Sequence, residues 1–377
     1  MTDTVTVPRG LAGVVVTDTT IGHVRGREGF YHYRQYSAID LAGRRTLEDV
    51  WALLVDGALP PDPAALPAEI APLRHIPDAV MAALPSIAAA SSAVDPMGGL
   101  RAALAVAGLA SGARPLYDTS AAERRAQAMR LCAMTPTLLA ALYRLRLGLQ
   151  PLAPRDDLPH AANYLYMITG REPSDVHARA IEQYLIATVD HGFNASTFTA
   201  RVIASTGADL YACIGGALGA LSGPLHGGAP SRALDTLDAI GSVDRADDWL
   251  RARILSGERI MGFGHPIYRT EDPRSRLLRG IARELGGDLV DFAVAVEARV
   301  LALLAELKPG RELHTNVEYY AGVVMELCGL PREMFTPTFA VSRVIGWCAN
   351  VLEQAEDSKI IRPDSRYVGE APPQPVP

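Results

Sequence analysis

Met261-Gly-Phe-Gly-His265-Pro-Ile-Tyr-Arg269 is the stretch on which the reading of this chain turns. Upstream of it lies Gly223-Pro-Leu-His226-Gly-Gly-Ala229, and downstream Thr315-Asn-Val-Glu318-Tyr-Tyr320. The three segments supply two histidines and one carboxylate, the minimal set for making an enolate and directing it onto a carbonyl. A carboxylate can remove a carbon-bound proton. One imidazole can hydrogen-bond the enolate oxygen, and the other can do the same for the electrophile. Arg269, Arg274, Arg343 and Arg362 lie in or after these segments and point to anionic substrates, since guanidinium matches carboxylate geometry.

Working outward, the 377 residues are too many for one compact core, so two domains of about 100–200 residues are expected. Hydrophobic residues make up 49% and charged residues 21%, an ordinary folded and soluble composition. A net charge of −6 argues against nucleic acid as the main partner, because phosphate binding needs a basic face. No uncharged stretch reaches the length of a membrane span, and the first residues do not read as a secretory signal, so a cytoplasmic location is expected. Cys132, Cys213, Cys328 and Cys348 are far apart and form no C-x-x-C pair. They read as buried thiols, and no metal site is expected.

Alanine and leucine are abundant and β-branched alternation is rare, so the chain reads as mostly helical. The strand candidate is Gly13-Val-Val-Val-Thr17, followed by a turn-rich 22–29. Thr46 with Asp49 predicts a capped helix that Gly57 and Pro60 end. The Pro-rich 60–77 predicts a connector or several short turns. Further helices are predicted at 78–84, 95–108, 121–147 (broken or kinked at Pro136), 175–189 and 208–221. More follow at 231–252, 272–307 and 335–354, and the tail from Arg362 is expected to be extended. The 208–221 helix carries Gly215, Gly216 and Gly219, which cost a helix about 0.5–1 kcal/mol each. They point either to close packing inside the subunit or to a helix crossing in a homodimer.

Each site residue also has a plain structural reading. His226 sits on a Gly-rich turn and can present one ring nitrogen, or can simply cap. The glycines around His265 leave backbone groups free to hold a flat heterocycle, or make only a turn; the segment is neither a Rossmann nor a Walker loop. Glu318 falls at a helix start, where acidic residues are common and stay ionised more easily. His191-Gly-Phe-Asn194-Ala-Ser196 follows a helix end, with Asn194 and Ser196 as neutral hydrogen-bonding groups.

In their order along the chain these segments resemble the citrate synthase family. The match takes in Gly10-Leu-Ala-Gly-Val-Val-Val16, Leu47-Glu-Asp-Val-Trp-Ala-Leu-Leu-Val-Asp-Gly57, Asn163-Tyr-Leu-Tyr-Met-Ile-Thr-Gly170 and His191-Gly-Phe-Asn-Ala-Ser-Thr-Phe198. It continues through the His226 and His265 segments to Asp272-Pro-Arg274, Ser342-Arg-Val-Ile-Gly346 and Ile361-Arg-Pro-Asp-Ser365. The resemblance implies an all-α homodimer with a large domain, 1–226 and 316–377, and a small closing domain, 227–315. It implies condensation of acetyl-CoA with oxaloacetate to citrate, the entry step of the tricarboxylic acid cycle, with the CoA thioester as co-substrate and no permanently bound cofactor.

By the same resemblance His226 would bind the thioester carbonyl, His265 the oxaloacetate carbonyl, and Glu318 would be the base. His191, Asn194, Arg274 and Arg343 would surround oxaloacetate, and Arg362 would reach the neighbouring subunit's site. Met261, Gly262, Gly264 and Arg269 would contact CoA. The family's usual Asn-Val-Asp is here Asn316-Val-Glu318, and the extra methylene lengthens the side chain by about 1 Å, a shift that can cost about a hundredfold in rate. A backbone set back to compensate is the expected accommodation. A 2-methylcitrate synthase using propionyl-CoA is the near alternative, and a non-catalytic organic-acid-binding homologue the remote one.

Overall fold

The fold is built around one long helix that is buried on every side. In a computed structural model describing residues 5–91, 96–224, 226, 230–265, 267–310, 313–357 and 359–376, Phe335–Gln354 forms this helix. Its polar residues Ser342, Arg343 and Asn350 are as buried as its Val, Ile and Trp. A helix buried all round needs neighbours on every face, and here they come from both halves of the sequence.

Among the described residues the α-helices in chain order are α1 Ala38–Arg44, α2 Leu47–Asp56, α3 Ala65–Ile70, α4 Asp78–Ala90, α5 Pro96–Ala110, α6 Ala121–Arg146, α7 His160–Thr169 and α8 Asp175–Thr188. They continue as α9 Ala195–Ala204, α10 Leu210–Leu221, α11 Pro230–Ile240, α12 Val243–Leu255, α13 Pro273–Leu285, α14 Asp288–Leu307, α15 Val317–Leu327 and the central α16. Helices α2, α6, α8, α9 and α10 pack on α16, while α13 and α11 pack on α15, and α12 on α14. No helix among the described residues is long and apolar enough to cross a membrane. The all-α expectation is met. All four cysteines are free and buried.

The local signals behave as their chemistry dictates. Thr46 and Asp49 form a reciprocal capping box, and Gly57 ends α2 in the left-handed conformation at φ 85°. The strand expected at Val15 is corrected: Val15 is 82% exposed and unpaired. The sheet lies instead in the stretch read as turns, with β1 Gly22–Arg25, β2 Phe30–Tyr33 and β3 Tyr36–Ser37 antiparallel in that order. Burial decides this, because β2 alternates and sends Tyr31 and Tyr33 into the core.

The break or kink expected at Pro136 does not take the form of a break, since α6 runs on through it. The 60–77 connector contains α3 and a short 3-10 turn. The amphipathic helices expected over 231–252 and 272–307 come as two in each stretch. Gly241 at φ 74° separates the first pair, and Gly286 and Gly287 at φ 69° and 101° the second. Gly227, where the small domain was expected to begin, and Asp95, at the start of an expected helix, lie outside the described residues.

Candidate active site

Helix ends deliver most of the site. Beyond α8 the chain turns through Asp190, His191 and Gly192 into Asn194, whose side-chain oxygen caps α9 by accepting the Thr197 N–H at 3.1 Å. Gly192 has φ 62° and packs on Val24 of β1. Asp190, buried at 2% exposure, accepts the Gly192 N–H at 3.1 Å and an Asn350 amide N–H at 3.2 Å. His191 is thereby fixed with Tyr31 edge-on at 5.4 Å between ring centroids and with Nε2 2.9 Å from the Tyr268 hydroxyl.

His265 joins the same cluster, 5.9 Å from His191 and 4.9 Å from Tyr268 between ring centroids. Its Nδ1 accepts the N–H groups of Ile267 at 3.0 Å and Tyr268 at 3.2 Å. The proton of the neutral imidazole therefore sits on Nε2. That nitrogen lies 3.2 Å from Arg274 Nη2. Nη2 can only donate, so two N–H groups face each other here, a repulsion that an oxygen accepting from both, such as a carbonyl or carboxylate, would relieve. Arg274 itself is held by Asp272 in a two-pronged pair, Nε to Oδ1 at 3.0 Å and Nη2 to Oδ2 at 2.8 Å. Asp272 also caps α13 through the Arg274 N–H at 3.0 Å.

Arg343 projects from the middle of α16 at 2% exposure. Its Nε donates to the Thr188 carbonyl at 2.9 Å, and its guanidinium lies over the Phe339 ring at 4.6 Å. Among the described residues its terminal nitrogens make no hydrogen bond to protein. A buried guanidinium with donors to spare is suited to receive a carboxylate.

His226 enters from the turn after α10, its N–H bonded to the Gly223 carbonyl at 2.9 Å. Its Nε2 is 2.9 Å from Ser196 Oγ. Ser196 also accepts from the Trp347 indole at 3.2 Å and lies 2.7 Å from Asn194 Oδ1. Asn194 Oδ1, which can only accept, takes the single hydroxyl proton. His226 Nε2 therefore donates to Ser196 here, and a hydroxyl turned to His226 instead would leave Nδ1–H as the imidazole donor. Ser196 is thus the group that sets the His226 tautomer, a role visible only once Trp347 and Asn194 are seen on its other sides.

Glu318 is the second residue of α15, capped by Asn316, whose Oδ1 accepts the Glu318 N–H at 3.0 Å. The His265 loop is stitched to the same turn. Gly264 N–H bonds to His314 O at 2.8 Å, Asn316 N–H to Gly262 O at 2.9 Å, and Asn316 Nδ2–H to Gly264 O at 3.0 Å. Gly262 and Gly264 have φ 89° and 87°. A side chain on Gly262 would meet Tyr319 at 2.8 Å. Much of the loop backbone read as free for a heterocycle is therefore spent on joining His265 to the helix of Glu318.

Burial sets the protonation states. His226 and His265 are each pushed down to about 4, first by desolvation and then by Arg343 and Arg274 respectively. His191 is lowered well below its usual range by burial, with Arg274, Arg343 and His265 adding to the effect. All three are neutral at pH 7. Glu318 goes the other way. Desolvation raises it to about 7, Arg274 opposes this and Asp272 adds to it. The helix N-terminus expected to keep Glu318 ionised is outweighed by loss of water.

Arg269 and Arg362 are not brought to this cluster. Both are exposed, Arg269 tied by its N–H to Gly26 O at 3.1 Å and Arg362 on the C-terminal segment next to Ile361, whose N–H donates to Ser205 at 3.0 Å. Met261 is half-buried. Among the described residues, no group of three or more His, Cys, Asp or Glu could hold a metal ion.

The model of the family described as "Citrate synthase, C-terminal domain" matches residues 10–364. Citrate synthase of Deinococcus radiodurans is 36% identical over 96% of this chain and 96% of its own. The crystal structure of citrate synthase from Thermotoga maritima aligns with a TM-score of 0.84 at 34% identity, covering 98% of both chains. The Thermoplasma acidophilum enzyme, in ternary complex with carboxymethyl coenzyme A and oxaloacetate, aligns with a TM-score of 0.88 at 28% identity, again over 98% of both. The chain belongs to the citrate synthase family.

Proposed function

We propose that the chain condenses acetyl-CoA with oxaloacetate and water to give citrate and CoA, with Glu318 as base and His226 and His265 as donors. The ionised Glu318 carboxylate takes a proton from the acetyl methyl group. His226 donates a hydrogen bond to the thioester oxygen as charge builds there, a stabilisation worth about 3–4 kcal/mol if it matches an oxyanion-hole donor. The enol carbon then bonds to the ketone carbon of oxaloacetate. The ketone oxygen gains a proton from the donors that meet at His265 Nε2 and Arg274. Water cleaves the resulting thioester and releases CoA.

The carboxylates of oxaloacetate fit the spare donors of Arg274 and Arg343, beside His191 and Asn194. Met261, Gly262, Gly264 and Arg269 remain our choice for the CoA side, on 227–315 as the closing lobe. A homodimer would bring Arg362 to a neighbouring site. In support, a side chain on Gly215 would meet no atom of its own subunit, whereas one on Gly216 would meet Ile203 of α9. Of these two helical glycines, then, Gly216 is explained inside the subunit and Gly215 leaves room for a partner. A bacterial cytoplasmic setting agrees with the family.

The observation that carries the reading is the pairing of a half-buried carboxyl near neutrality with neutral imidazoles and two buried guanidiniums. Such a set can abstract a carbon-bound proton and stabilise the charge that results. Release of CoA thiol, measured with oxaloacetate and either acetyl-CoA or propionyl-CoA, tests it. Faster release from acetyl-CoA is expected. Faster release from propionyl-CoA would make the enzyme a 2-methylcitrate synthase, and release from neither would leave an organic-acid-binding protein.

A further inference from the structure

Glu318 has no side-chain hydrogen bond among the described residues, so its carboxyl is placed by its backbone and rotamer alone. What fixes that backbone is a second buried carboxylate, Glu297 on α14, at 4% exposure. Glu297 Oε1 accepts the Thr315 hydroxyl at 2.6 Å, and Oε2 accepts the Tyr320 hydroxyl at 2.5 Å. Thr315 precedes Glu318 by three residues and Tyr320 follows it by two. One turn earlier on α14, the Ala293 carbonyl accepts the Tyr319 hydroxyl at 2.8 Å.

Helix α14 therefore grips the first turn of α15 through Thr315, Tyr319 and Tyr320. Glu318, between these anchors, responds instead to the charges of Arg274 and Asp272. Arg279 on α13 approaches Glu297 at 3.4 Å and supplies its counter-charge, while also pairing with Glu271 at 2.7 Å.

We infer that Glu297 is a positioning residue for Glu318: by clamping Thr315 and Tyr320 on α14 it sets where the carboxyl stands against the bound acyl thioester. This deepens the proposed function and rests on it. Glutamate reaches about 1 Å further than aspartate, and an error of that size can cost about a hundredfold in rate, so an otherwise untethered base needs a rigid backbone. The charges that act on Glu318 do not include Glu297. Loss of the clamp should thus act on the base through its position rather than through the charge of Glu297.

The test uses the full-length enzyme and Glu297→Gln, with Tyr320→Phe and Thr315→Val as milder cuts of single ties. Circular dichroism and thermal unfolding select the variants that fold. Expected in these is a fall in kcat of about tenfold or more with the oxaloacetate KM within about twofold of wild type. Combined with Glu318→Gln, the clamp variants should lower residual turnover no further, since a misplaced base that is already absent costs nothing. A wild-type kcat in folded variants would overturn the proposal. So would a KM that rises in step with the loss, or additive losses with Glu318→Gln. Failure of the wild-type enzyme to release CoA from any acyl thioester would instead remove the proposed function, and this inference with it.

Discussion

Replacing Glu318 by Gln should make the protein more stable at high pH while leaving only residual condensation. In the unfolded chain this carboxyl titrates at its ordinary 4.5, and in the folded chain burial raises it to about 7. Between these values the unfolded state has released the proton that the folded state still holds. Stability therefore falls as pH rises through that window, and the full cost is present above pH 7. The difference of roughly 2.5 pH units corresponds to about 3 kcal/mol, or about 4 °C in Tm for a chain of this length. Gln keeps the shape and cannot ionise. Thermal unfolding of both proteins at pH 4.5 and pH 8.5 should give similar Tm values at the low pH. At the high pH the variant should unfold a few degrees above wild type, with CoA release reduced to a residual rate. A variant less stable than wild type at pH 8.5, or an advantage already present at pH 4.5, would refute desolvation as the cause of the raised value.

The same titration should appear in the rate: kcat rises through about pH 7 as Glu318 loses its proton, with no further limb from the imidazoles, held near 4. A flat kcat between pH 6 and 8 in an assay limited by proton abstraction would count against the assignment. Ser196→Ala removes the partner of His226 Nε2 and frees the imidazole to take the wrong tautomer. We expect kcat to drop by about tenfold or more, below the loss of about 10²–10³ for deleting an oxyanion donor outright, with oxaloacetate binding by calorimetry little changed. An unaltered kcat would show that the tautomer is set elsewhere. Gly346→Ala would press a methyl group into the Val189 carbonyl oxygen, where α16 crosses the chain leading to His191. A loss of about 1–3 kcal/mol in urea unfolding is expected, together with a raised oxaloacetate KM. Unchanged stability would mean that α16 can shift without cost.

Fold class was legible because helices announce themselves locally. Thr46 with Asp49, Gly57, and the apolar run of 335–354 each act within a few residues of themselves, and the structure keeps all of them. The failures were equally local in origin. The β-branched run Val14-Val15-Val16 had no neighbour to pair with, while 22–33, weak in pattern, found Tyr31 and Tyr33 a place in the core.

The residue types of the site, and even their order, were likewise present in the chain. His191, His265, Arg274 and Arg343 fall into one group by resemblance alone, and they stand together in the fold. What no single segment could carry is their state. Glu318 at a helix N-terminus reads as an easily ionised acid, and only its removal from water by the packed elements around it raises it to about 7. His265 became a donor at Nε2 because two backbone N–H groups claimed Nδ1. Ser196 read only as a neutral hydrogen-bonding group, because its partner His226 arrives from a different helix end. Glu297 gave no signal at all, since it acts on Glu318 from a neighbouring helix. Sequence determined which groups this protein owns and the helices that bear them. Tertiary structure decided their protonation, tautomers and aim, because desolvation and hydrogen-bond competition depend on which distant segments arrive at the same few ångströms.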